Sequence, residues 1–286
     1  MILSMTGFGK AVKTLPENKI TIEIKSLNSK SLDLNTRIPS QYREKELSMR
    51  QFIAQKLQRG KIDLNLYIES TGENTSASVN EAVVKTYIKQ LQNISNHSSE
   101  SELMAIAMRL PDTLKTEREE IDEGQYKEIE ATISEATESL LQHRKDEGAV
   151  LEKEFLLRIT NLKKLLEDVV EIDPERIIAV RERLEKGIAE IKENVDENRF
   201  EQELIFYIEK YDITEEKIRL GNHLAYFLET MKTETPNGKK LGFIGQEIGR
   251  EINTIGSKSN YAPMQKLVVQ MKDELEKIKE QLLNVL

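Results

Sequence analysis

The chain has no cysteine and no tryptophan. Without thiols it has neither disulfides nor thiolate metal sites, which fits a cytoplasmic address. Aromatic residues make up only 5% of 286 positions, so base stacking is not expected to be the main grip on a nucleic acid. Recognition by shape and phosphate is the expectation instead. No apolar run approaches the roughly eighteen residues of a membrane-spanning helix, and the sequence opens on a strand-like segment rather than a signal peptide. No membrane partner is therefore expected. His-Glu-x-x-His, cysteine pairs and a nucleophile elbow are all missing, which leaves zinc-protease, zinc-finger and serine-hydrolase readings without footing.

The formal net charge of -8 argues, taken alone, against a polyanionic partner. Its distribution argues otherwise. Residues 115–154 hold thirteen acidic and six basic side chains, whereas 237–266 hold five basic and only two acidic, Glu247 and Glu251. A local basic lining, gathered by symmetry around one cavity, can hold RNA on an acidic protein.

Period-two alternation at Ile20, Ile22, Ile24, at Leu32, Leu34, and at Ile62, Leu64, Leu66, Ile68 predicts strands. A helix is expected over 42–58 between Ser40 and Gly60, with Leu47, Ile53 and Leu57 apolar, giving a β-meander plus one helix. After 70–78 the period becomes helical. Ser99 and Glu102 form a capping box, and Pro111 marks the end of that helix. Residues 151–195 read as two long helices separated at Asp173-Pro174. Asp212 with Glu215 gives another capping box, and Met264, Val268, Met271, Leu275, Ile278 and Leu282 form a packing seam, within or between subunits. The expected class is α+β. Its divisions are an N-terminal α+β domain over 1–150 (β-rich 1–70, helical 80–150), a long helical arm over 151–200, and a C-terminal helical domain over 201–286.

The densest polar chemistry lies in Leu241 to Asn260, a short expected helix and the turn after it. Glu247 and Glu251 are one helical turn apart on one face, with Arg250 beside them. Such a pair makes sense when a divalent cation, an arginine or a ligand cation neutralises it. The bland alternative is a solvated face. Gly242, Gly245, Gly249 and Gly256 thin the helix, at roughly 1 kcal/mol each relative to alanine, and suggest close backbone approach to something. His223 lies on the preceding helix with Arg219 and Tyr226, so an antiparallel hairpin would bring it opposite the glutamates. Its role would be metal ligand or general base. His97 and His143 have no cluster around them. Gly256-Ser-Lys-Ser259 is not a Walker loop, because a serine separates glycine from lysine and a helix precedes it.

Several segments together resemble the YicC/YloC-like endoribonucleases. They are Ser4-Met-Thr-Gly-Phe-Gly9, Glu23 to Asn28 with Leu32-Asp33, Arg59-Gly-Lys61, His143-Arg144 through Glu147-Gly148, Asp212 to Glu216 with Arg219-Leu220 and His223, Gly238-Lys-Lys-Leu241, Gln246-Glu247 through Thr254, and Gly256 to Asn260. Together they span essentially the whole chain. Tyr261 stands where aspartate is common in that family, and Ser29-Lys30 where His-Arg is common.

The resemblance implies a divalent-metal endoribonuclease that cuts single-stranded regions or loops of RNA, inside a homo-oligomer, a hexamer by the same resemblance. In the mechanism expected on that basis, Glu247 and Glu251 hold Mg²⁺ or Mn²⁺, with Glu216 as a further ligand. His223, Arg250 and the two glutamates form the catalytic set. Arg219, Lys239, Lys240, Asn253, Ser257 and Lys258 bind RNA or its phosphates. A metal-free route through the ribose 2′-hydroxyl competes with this, and a non-catalytic RNA-binding adaptor or chaperone is the alternative function.

Overall fold

The computed structural model describes residues 2–70, 78–94, 99–115, 122–191, 197–233 and 236–286. The fold is α+β. Strands β1 (Gly7–Thr14), β2 (Asn18–Leu27), β3 (Leu32–Arg37) and β4 (Gly60–Ser70) form a sheet in the order β1-β2-β4-β3. Ile20, Ile22 and Ile24 pair with Ile68, Leu66 and Leu64, and the three β2 isoleucines are fully buried. That is the expected result of alternating apolar side chains on a half-covered sheet.

The sheet is not a meander. β3 runs parallel to β4, because a short 3₁₀ turn (Ser40–Lys45) and helix α1 (Glu46–Leu57) carry the chain back across between them. Parallel neighbours need such a crossover. On α1, Met49, Ile53 and Leu57 face the core, while Leu47 is exposed. Strand β5 (Ser78–Val79) pairs with β6 (Leu114–Lys115), enclosing α2 (Glu81–Ile94) and α3 (Glu100–Ala107). The Ser99–Glu102 capping box is formed at the start of α3.

Helix α4 runs unbroken from Glu123 to Ile191. The expected break at Asp173-Pro174 does not occur, since Asp173 is engaged elsewhere and does not cap a new helix. Its buried carboxylate accepts from Arg176 Nε and Lys217 Nζ, both at 2.7 Å, while Arg176 also donates to the Tyr211 carbonyl at 2.8 Å. These bonds hold α4 against the turn between α5 (Glu197–Lys210) and α6 (Thr214–Met231).

Two apolar cores share α4. Tyr126, Ile129, Ile133, Ala136 and Leu140 cover the sheet, whereas Leu151, Phe155, Ile159, Leu162 and Val169 join α6, α7 (Gly238–Lys258) and α8 (Ala262–Leu282). The segment read as an arm is thus core-forming through Val169. The seam of α8, from Met264 to Leu282, is buried within the chain against α7 and α4.

The N-terminal segments Ser4 to Gly9, Glu23 to Asn28 and Arg59 to Lys61 meet at Arg144, which is 1% exposed. Its Nη2 donates to the Met5 carbonyl, to Ser26 Oγ and to the Arg59 carbonyl, and burial pushes its pKa below the ordinary arginine value. Gly60 follows at φ +125°, a conformation that side chains rarely adopt. These motifs build the fold.

Candidate functional site

Helices α6 and α7 are antiparallel neighbours, and the side of each that faces the other carries the polar residues. On α6, Leu220, Leu224 and Phe227 point into the core, which turns His223 toward α7. On α7, Leu241, Ile244, Ile248, Ile252 and Ile255 take the core face, leaving Glu247 and Glu251 at its edge. Close approach of α8 accounts for much of the glycine content. A Cβ on Gly256 would lie 2.9 Å from Val268 and one on Gly249 3.1 Å from Leu275, whereas Gly242 faces open space.

This geometry gathers His223, Glu247 and Glu251, each offering one ligand atom, with those atoms all within 4.8 Å of one another. Glu251 is 4% exposed, and among the described residues no hydrogen bond or ion pair compensates it. Two carboxylates this close repel each other unless a cation joins them. Two carboxylate oxygens with one imidazole nitrogen form a donor set that a divalent ion such as Mn²⁺ accepts, whereas the hard Mg²⁺ would use the two carboxylates and water.

Glu216 is not in this group. It lies two turns before His223, where its Oε1 accepts from Lys258 Nζ at 2.7 Å. Lys258 also donates to the Asp212 carbonyl at 2.8 Å. α7 extends as far as Lys258, so the Gly256 to Lys258 stretch expected in a turn is helical. Arg250 is exposed, 3.8 Å from Glu247. Arg219 is ion-paired with Glu215 on its own helix, and no capping box forms, because Ile213 is the N-cap and the Asp212 N–H donates to the Glu209 carbonyl at 3.2 Å. Asp212 starts α6 differently, accepting from the Thr214 hydroxyl at 2.7 Å and its N–H at 3.1 Å. The hydroxyl bond, foremost, holds the Asp212 carboxyl below its usual range.

Asn253 is exposed, and Ser257 Oγ donates to the Thr254 carbonyl. Lys239 and Lys240 sit in the first turn of α7, Lys240 Nζ 4.7 Å from the Tyr226 ring centroid. Sequence reasoning placed Tyr226 on the His223 stripe and gave it no role; its spacing of three from His223 was the available signal. His143 lies 3.9 Å from Glu147, away from the cluster, and His97 lies outside the described residues.

The fold is α+β, with an imidazole–carboxylate cluster on a C-terminal helical hairpin. Residues 2–153 match the family model described as endoribonuclease YicC-like, N-terminal region, and residues 169–286 match endoribonuclease YicC-like, C-terminal. The chain belongs to the YicC-like endoribonuclease family. It is 32% identical over 293 residues to a Clostridioides difficile (strain 630) protein named "Probable endoribonuclease YicC", with both chains covered in full. A protein of the same name from Haemophilus influenzae (strain ATCC 51907 / DSM 11121 / KW20 / Rd) is 29% identical over 287 residues, again with full coverage of both.

Proposed function

We propose that this chain is a metal-dependent endoribonuclease that cleaves single-stranded regions or loops of RNA, with His223, Glu247 and Glu251 as the residues holding the divalent ion. The observation that carries the reading is the convergence of their ligand atoms within 4.8 Å around a buried, uncompensated Glu251. A divalent metal bound there supplies positive charge against the phosphodiester and acidifies water.

The protein's own residues do the remaining work. Glu251 fixes the floor of the site because burial locks its position, while the more exposed Glu247 stands on the substrate side. Arg250, three residues after Glu247, offers an exposed guanidinium to phosphate oxygens. Lys258, held by its bond to Glu216 at the end of α7, and Lys239 and Lys240 in its first turn place cations at both ends of this helix. Asn253, Ser257 and Arg219 line the outer surface between them as polar contacts for the RNA backbone. Glu216 serves this arrangement by orienting Lys258 and is not a ligand.

The same reading includes a homo-oligomeric channel. Val150, Leu157 and Ile178 are exposed apolar residues along α4 that contact with a second copy would cover. Among the described residues, no helix is long and apolar enough to cross a membrane.

The deciding experiment compares wild type with the Glu247→Gln/Glu251→Gln double variant on a labelled RNA hairpin, with activity tracked through gel filtration. Cleavage should follow the wild-type protein peak, vanish in the variant and vanish with chelator, while RNA binding persists. An undiminished rate in the double variant ends the proposal, and cyclic phosphate products formed in chelator would favour attack by the 2′-hydroxyl.

A further inference from the structure

Two exposed aromatic rings lie to one side of the candidate centre, each with a lysine over it. Tyr226 follows His223 by three residues on α6, and Phe243 precedes Glu247 by four on α7, so each lies about one turn from a member of the cluster. Tyr226 is 42% exposed and Phe243 58%. Lys240 Nζ is 4.7 Å from the Tyr226 centroid and Lys239 Nζ 6.0 Å from that of Phe243. Neither ring belongs to the C-terminal core, which takes Phe155 and Phe227 instead.

We propose that Tyr226 and Phe243, with Lys240 and Lys239, form a nucleobase-stacking subsite beside the cut. The inference rests on the endoribonuclease reading above and names how that site chooses single strands. Exposed rings offer π-faces to unstacked bases, and the adjacent ammonium groups meet the phosphates of the same nucleotides. A duplex keeps its bases stacked on one another and offers no face to the rings. The subsite therefore accepts loops and unpaired segments of many sequences. From Lys240 to Glu247 the helix rises roughly 10 Å, which keeps the bound bases close to the reacting phosphodiester. The low aromatic content of the whole chain does not oppose this, because two well-placed rings suffice.

Ring–lysine proximity alone does not define such a site. Phe8 has Lys25 at 5.8 Å, yet it stands on β1 and not on α6 or α7, which carry His223, Glu247 and Glu251. It supplies the control.

The test reads binding without turnover, in chelator, using single-stranded oligoribonucleotides that carry 2-aminopurine at successive positions. Wild type should quench the fluorescence at one position or two adjacent ones, and Tyr226→Phe and Phe8→Ala should retain that quenching. Tyr226→Leu and Phe243→Leu should lose it and bind roughly 5- to 150-fold more weakly, the range expected for one lost stack. An abasic nucleotide at the quenched position should weaken wild type but not Tyr226→Leu. Quenching that survives in the Tyr226→Leu/Phe243→Leu double variant, with RNA still bound, ends the subsite and leaves the nuclease reading standing. Loss of quenching in Phe8→Ala also ends it. A smaller particle on sizing chromatography for either leucine variant would assign the rings to contacts between copies. Wild type that binds no RNA ends both readings.

Discussion

Lys258 Nζ donates to Glu216 Oε1 at 2.7 Å, joining the last residue of α7 to the first turn of α6. The other carboxylate oxygen of Glu216 is buried with no hydrogen-bond partner, so Lys258 is the side chain that compensates the charge. Removing the lysine should cost more than neutralising the acid, because it strands a desolvated carboxylate. Lys258→Ala should lower stability by about 1–3 kcal/mol, less than for a fully buried pair because the lysine side chain is 32% exposed. Glu216→Gln should cost less than about 1 kcal/mol, since the amide oxygen still accepts the bond. Urea unfolding of the two variants measures the difference, and equal losses would contradict this account.

Glu251 gives a test of the metal centre that needs no activity. Its repulsion with nearby Glu247 is unfavourable unless a cation is present, so Glu251→Gln should be at least as stable as wild type in chelator. Adding Mn²⁺ to a hundredfold excess over its Kd should then stabilise wild type by about 2.7 kcal/mol and leave the variant unmoved. Thermal unfolding with and without Mn²⁺ reads both arms. A wild type indifferent to Mn²⁺ and Mg²⁺ removes the ion from the site.

The strands of the sheet were legible because Ile20, Ile22, Ile24 and their partners alternate cleanly, and the α8 seam because its spacing of three and four leaves one apolar face. The approach of His223 to Glu247 and Glu251 was legible too, since an antiparallel pair of amphipathic helices turns those residues toward each other. Two misreadings share a cause. Asp173-Pro174 carries the local signal of a helix start, and Asp212 with Glu215 that of a capping box, but other partners claim these groups. Lys217 reaches Asp173 from α6 and Arg176 from its own helix, while the Asp212 N–H goes to the Glu209 carbonyl and Glu215 pairs with Arg219 one turn along α6. Local pattern cannot see a lysine arriving from another helix, nor choose among partners within one. The parallel pairing of β3 with β4 was hidden for a related reason, as alternation fixes which face is buried but not the strand's direction.

Gly9 and its neighbours are explained by packing rather than chemistry. A Cβ on Gly9 would lie 2.0 Å from the Ala136 carbonyl oxygen, and the obstacle is helix backbone that cannot rotate away. Gly9→Ala should therefore separate β1 from α4 and destabilise the fold by about 1–3 kcal/mol or more, with Mn²⁺ still stabilising whatever remains folded. Gly242→Ala is the matched control, because its Cβ would meet nothing within 4 Å and alanine favours helix by up to about 1 kcal/mol. Chemical denaturation of the pair should move the midpoints in opposite directions.

Acid sensitivity should trace in part to Glu274, which ties α8 to α4. Burial pushes its pKa up, but hydrogen bonds from Asn161 at 2.9 Å, Lys277 at 3.1 Å and Arg158 at 3.4 Å outweigh burial and hold it below the ordinary glutamate value. A carboxyl depressed in the folded state contributes its full stability above the unfolded value of about 4.3. As pH falls below that, the unfolded chain takes up the proton first, and the contribution shrinks until the folded pKa is passed. Glu274→Gln should therefore unfold more easily than wild type at pH 6, with the gap closing between about pH 5 and pH 3. Melting temperatures for both proteins across that window decide the matter: a gap that stays constant would mean that the glutamine disturbs packing and that the charge of Glu274 contributes nothing.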